Sequence, residues 1–125
     1  MTGMRFGTRL LRIVVLASLS VGMESRAQPI HEWTPTASLI SKVESKISMP
    51  PGTLLNSYTR YYYGLLQHRH RLLVGIFVRD GGTSTVHITS QEKAPAIFEG
   101  GCDVVNLKYD VDADKVLAVF CNGRA

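Results

Sequence analysis

The sequence predicts an α+β fold in two layers, with one N-terminal amphipathic helix packed on an antiparallel sheet of about five strands. Three observations carry that expectation. Near the start, Leu39, Ile40, Val43 and Ile47 recur at helical spacing, while Ser41, Lys42, Glu44, Ser45 and Lys46 fill the opposite side. Later apolar runs are short, rich in Val, Ile, Leu, Phe and Tyr, and separated by residues that favour turns. The last stretch, GGCDVVNLKYDVDADKVLAVFCNG from Gly100 to Gly123, reads as one β-hairpin with a cysteine at each open end.

Before the helix, residues 1–27 have the parts of a secretory signal. Arg5, Arg9 and Arg12 precede an apolar run from Ile13 to Val21, and Ser25 and Ala27 supply small residues at the cleavage site. Cleavage is expected before Gln28, leaving residues 28–125 as a single small α+β domain. The run is shorter than the roughly 20 residues a membrane-spanning helix needs. Cleavage removes four arginines and one glutamate, so the net charge falls from +4 to +1. That balance argues against nucleic acid as a partner, which would call for a clustered basic face.

Gln28 to Trp33 is expected to run loosely into the helix. Thr34 as N-cap with Pro35 at the first helical position marks the start, and the helix is expected to end near Ser48, ahead of Pro50-Pro51-Gly52. Tyr58, Tyr61, Tyr62 and Tyr63 tilt the next run toward a strand from about Ser57 to Leu66, although Leu55, Tyr58, Tyr62 and Leu65 also fall at helical spacing. QHRH then turns the chain. RLLVGIFVR, Arg71 to Arg79, reads as a central strand, with Leu72, Val74, Ile76 and Val78 on one face and Leu73 and Phe77 on the other. Asp80-Gly81-Gly82 signals a hairpin with Ser84 to Thr89 as its return strand. Ser90 to Gly101 is a connection, with a helical turn expected around Ala94 to Phe98.

In the last hairpin, placing Cys102 opposite Cys121 puts Val104 opposite Val119, Val105 opposite Ala118 and Leu107 opposite Val116. Asp110 to Ala113 are left as the loop, and Lys108 sits against Lys115, a mildly unfavourable pair. A one-residue slip sends the two sulfurs to opposite faces, so the pairing and the disulfide support each other. An even cysteine count in an exported chain favours a structural bond over a metal or catalytic pair.

Few residues suggest chemistry. Asp110, Asp112 and Asp114 resemble the opening of a calcium loop of the EF-hand kind, but Lys115 stands where that loop has Gly and Cys121 where it has Glu. A solvated acidic turn is the expected outcome. His68 and His70, joined by His87 from a neighbouring strand, are the candidate set for a small periplasmic hydrolase or metal-dependent enzyme, with Arg69 and Arg71 opposing a cation. No catalytic motif supports that alternative, and no cofactor is expected. The most suggestive surface is YTRYYYG, where Tyr58, Arg60 and Tyr62 share one strand face and have the composition of a protein-contact strip.

YTRYYYG, VGIFV, GGCDVVNLKYD and VFCNG together with the signal resemble small exported proteobacterial proteins of unknown function, and the outline resembles cystatin-like folds. That resemblance implies an exported domain and carries over no catalytic residue. The expected protein is therefore periplasmic or secreted, with a non-catalytic binding or inhibitory role through Tyr58, Arg60 and Tyr62. Its expected partner is another periplasmic or cell-envelope protein, with no membrane contact after signal cleavage; an envelope-structural role is a further alternative.

Overall fold

The computed structural model describes Gly3 and residues 31–124, so the signal segment apart from Gly3, and its cleavage point, lie outside the described residues. In chain order the elements are β1 (Glu32–Trp33), α1 (Ala37–Glu44), β2 (Thr59–Gln67), β3 (His70–Val78), β4 (Val86–Ile88), β5 (Val104–Asp110) and β6 (Lys115–Cys121). The six strands form one open sheet in the order β1-β2-β3-β5-β6, with β4 paired to β2. All pairs are antiparallel except β2 with β4. The chain is thus mixed α+β and mostly sheet.

The helix begins two residues later than the Thr34-Pro35 signal suggests, because the preceding residues serve the sheet. Glu32 and Trp33 pair with Leu65 and Gly64 of β2, and the carbonyl of His31 accepts from the Leu66 amide. Trp33 lies flat over Gly64, where a Cβ would come within 2.6 Å of the indole. Thr34 and Pro35 are consumed in the turn out of β1, and Thr36 becomes the N-cap, its hydroxyl accepting from the Leu39 amide at 3.2 Å. The helix ends at Glu44 instead of near Ser48, although amides of Lys46 and Ile47 still reach the Val43 carbonyl.

One face of the sheet and the apolar stripe of α1 build the core. Ile40 and Val43 cluster with Tyr58, Tyr62, Leu73, Phe77, Val105, Leu107 and Tyr109, all essentially inaccessible to solvent. Register explains the cluster, since Tyr62, Gly75 and Leu107 stand in one cross-strand row and Phe77 with Val105 in another. A Cβ at Gly75 would lie 2.8 Å from the Phe77 ring, so the tyrosine and phenylalanine occupy the space that the glycine leaves.

Two strand pairings differ from expectation. Ser84 to Thr89 does not fold back on β3. β5 takes the free edge of β3 over seven residues, from Leu72↔Asp110 to Val78↔Val104, and a three-residue segment cannot compete with that apolar ladder. β4 instead crosses to the outer edge of β2 and pairs parallel to it at Arg60, Tyr61 and Tyr62. In the last hairpin, Val105 faces Cys121 and Leu107 faces Val119, three places away from the expected register. Cys102 is not in a strand at all. Gly100 and Gly101, at φ 106° and 56°, turn the chain into a short 3-10 segment, Gly101–Asp103, and from there Cys102 still reaches Cys121 with a Cα–Cα distance of 4.6 Å. The disulfide therefore forms without the cysteines facing each other across the ladder. A bulge in β6 near Leu117 sets Lys115 opposite Asp110 and Lys108 opposite Ala118, so the like-charge pair does not arise.

The bonded cysteines are compatible with an oxidising extracellular compartment. Among the described residues no helix is long and apolar enough to cross a membrane.

Candidate functional site

Arg60 and Tyr62 of β2 and Tyr58 just ahead of it do share one face, but it is the core face beneath α1. Tyr58 and Tyr62 are fully buried. The Tyr58 hydroxyl donates to the Cys102 carbonyl, and the Arg79 guanidinium lies 5.4 Å from its ring centre. Arg60 turns inward to Glu44 of the helix. Its Nε donates to Glu44 Oε2 at 2.7 Å, with 11% and 14% of the two side chains exposed. The same guanidinium donates to the carbonyls of Leu55 and Tyr58 and to the Ser84 hydroxyl, while the Tyr62 hydroxyl donates to Glu44 at 3.1 Å. Burial, reinforced by the Glu44 charge, pushes the Tyr62 phenol far above its ordinary range and keeps it neutral. A solvent-facing contact strip is therefore excluded at these three residues; they join helix, sheet and the β3–β4 connection.

Of the three histidines, His68 and His70 line one cleft of about 290 Å³ with Asp110 and Leu117, but His87 does not join them. His87 stacks on Tyr61, with ring centres 5.0 Å apart, whereas His70 stands opposite Gln67 at the far end of β2. Six residues of strand separate those positions, on the order of 20 Å. Among the described residues, no group of three metal-ligating side chains forms.

Beside His70, the three aspartates of the β5–β6 turn each hold a different basic side chain. His70 Nδ1 lies 2.6 Å from Asp110, Arg71 binds Asp112 through its amide and its guanidinium, and Lys46 reaches Asp114 at 2.7 Å. Tyr109 donates to Asp114 as well. Each carboxyl is held below its ordinary range: Asp110 chiefly by the Ala113 amide, Asp112 by the Arg71 amide, and Asp114 by Lys46. Asp110 is buried, so the turn is less solvated than its composition suggests. These carboxylates clip the sheet end and the helix together.

The face of the sheet opposite the helix offers a different surface. After β4, residues 89–100 cross it as a strap toward β6. At one end the Gln91 amide donates to Glu32, and at the other Asn122 Nδ2 donates to the carbonyls of Ile97 and Glu99. Asn106 Nδ2 in turn donates to Asn122 Oδ1 at 2.6 Å, so one amide chain links β5, β6 and the strap. The turn in the strap spans Gln91–Lys93, earlier than expected, because Pro95 disfavours helical geometry at Ala94. Strap and sheet enclose a cleft of about 450 Å³, floored by Tyr63, Ile76, Asn106 and Phe120 and walled by Pro95, Ile97 and Phe98.

Tyr63 is the one ionisable side chain in the lining, and burial with the nearby Glu32 raises its pKa, which leaves it a neutral phenol. Phe98 projects from the rim with 90% of its surface exposed. The sequence does not mark this site through its pattern, because a connection without periodicity carries no fold signal. Its usable sign is composition, for Ala94, Ala96, Ile97 and Phe98 are apolar where surface connections are ordinarily polar. No family model matches the chain, and no curated protein or solved structure matches it.

Proposed function

We propose that this chain is an exported, two-layer α+β module with a non-catalytic binding or inhibitory role, and that it contacts its partner through the strap-covered face. The composition of the cleft carries the reading. Its volume lies within the range of ligand sites, its walls are apolar and its polar side chains are amides and one phenol, so it is equipped to bind. Among the described residues the neutral phenol of Tyr63 is its only titratable group, and general acid-base catalysis near neutral pH needs a group that exchanges a proton there. The exposed Phe98 ring supplies the kind of aromatic anchor that protein contacts use. Another periplasmic or cell-envelope protein is the partner this reading expects, with no role for nucleic acid.

Capture from cell-envelope extract tests it. Phe98→Asp is expected to abolish capture of the partner while leaving the melting temperature within about 2 °C, because an exposed side chain contributes little to folding. Undiminished capture by that variant would refute the assignment of the contact face.

A further inference from the structure

We infer that the free edge of β6 takes a second copy of this chain, strand against antiparallel strand, to form a closed two-fold dimer. At the opposite side of the sheet, β1 and β4 cover the outer edge of β2, but among the described residues β6 is the last strand in its order and is seven residues long. Its edge is not made unattractive. Leu117 and Phe120 on the strand, with Ile97 and Phe98 beside it, account for four of the eight large apolar side chains exposed among the described residues. An open apolar edge of this length is a template for pairing.

The backbone fixes which groups are available. The Asn122 amide donates inward to Val104 of β5, and alternation along the strand points Phe120 and Ala118 inward too. Val119 and Cys121 therefore direct their amides and carbonyls outward. A two-fold axis at Val119 satisfies them, pairing Val119 with Val119 of the partner subunit and packing Phe120 against the small Ala118 of the partner subunit.

Charge selects a second copy over a foreign strand. Lys115 begins β6, while Glu99 lies at its other end, its carbonyl bound by Asn122. Neither side chain belongs to an ion pair among the described residues. Counting the bulged residue, Lys115 comes level with Asn122 of the partner subunit in the antiparallel arrangement, beside Glu99 of the partner subunit, and symmetry makes that contact twice. The bulge at Leu117 interrupts the regular spacing of the edge, which favours one register. Both edges are consumed, so the assembly closes at two copies. The inference concerns the strand edge and does not depend on the cleft.

Sedimentation equilibrium of the protein purified in its cellular form, disulfide intact, is the test, from about 1 to 500 µM, a range that spans moderate dimer affinities. A dimer is expected, with the Val119 and Cys121 amides protected from exchange. Lys115→Glu and Glu99→Lys should each weaken it about 3- to 30-fold, and the two together should restore it. A monomer throughout the range overturns the inference, as does a dimer whose Val119 and Cys121 amides exchange freely or whose double variant stays weak. Protection of those amides in a monomer only after envelope extract is added would assign the edge to a foreign strand and equally overturn it. A monomer that still captures its partner through Phe98 leaves the binding reading standing.

Discussion

Arg60→Ala should be among the more damaging single substitutions in this domain, and the structure sets its size. The guanidinium holds Glu44 at 2.7 Å, two backbone carbonyls at 3.1 Å and the Ser84 hydroxyl at 2.7 Å. Truncation leaves the Glu44 carboxylate, 14% exposed, with the Tyr62 hydroxyl as its remaining side-chain donor. Breaking a fully buried pair costs about 3 to 5 kcal/mol, and the residual exposure lets water recover part of that, so about 2 to 4 kcal/mol is expected. In urea the unfolding midpoint should fall by about 1 to 2.5 M with the slope unchanged. Arg60→Met combined with Glu44→Leu removes both charges and should recover much of the loss, since apolar replacement of a buried pair is often neutral. A loss below about 1 kcal/mol for Arg60→Ala would refute the reasoning, because it would place the pair among weak, solvent-screened ones.

Replacing Cys102 and Cys121 by Ala opens a loop of 19 residues and should cost about 2 to 4 kcal/mol by denaturant unfolding. His68 and Arg69 form the β2–β3 turn with φ of 49° and 64°, a conformation that side chains resist. His68→Asn with Arg69→Gly should therefore raise stability by about 1 to 2 kcal/mol. Asp110, Asp112 and Asp114 titrate below the ordinary value of 3.8 in the folded chain. Lowered carboxyl values mean that their stabilisation is fully present above the unfolded value and is lost as pH falls through the folded ones. The melting temperature should hold down to about pH 4 and drop below it, and replacing all three by Asn should flatten that acid limb.

Much of the fold was legible because alternation and helical spacing report which residues share a face. They put Tyr58, Arg60 and Tyr62 together correctly. They do not say which face is covered, and Tyr and Arg suit either, with an apolar body and a polar tip. What decides is Glu44, an acid on the helix that only the packing brings over β2. The hairpin register failed for a related reason. A sulfur link constrains distance, and the left-handed Gly100-Gly101 turn satisfies that distance from outside the ladder. β4 was misplaced because a turn signal reports that the chain reverses, not which edge is still free when it does. The strap was invisible to periodicity, since its position depends on Glu32 and Asn122, distant in sequence from most of it.

The central claim is that binding occurs on the face under the strap and not on the tyrosine strip, and amide exchange with and without the captured partner tests it most directly. Protection is predicted to rise over residues 90–100 and around Asn106 and Phe120, with the amides of Thr59 to Tyr62 unchanged. Protection that instead appears along the helix and Tyr58 to Tyr62, leaving the strap as it was, would contradict the account.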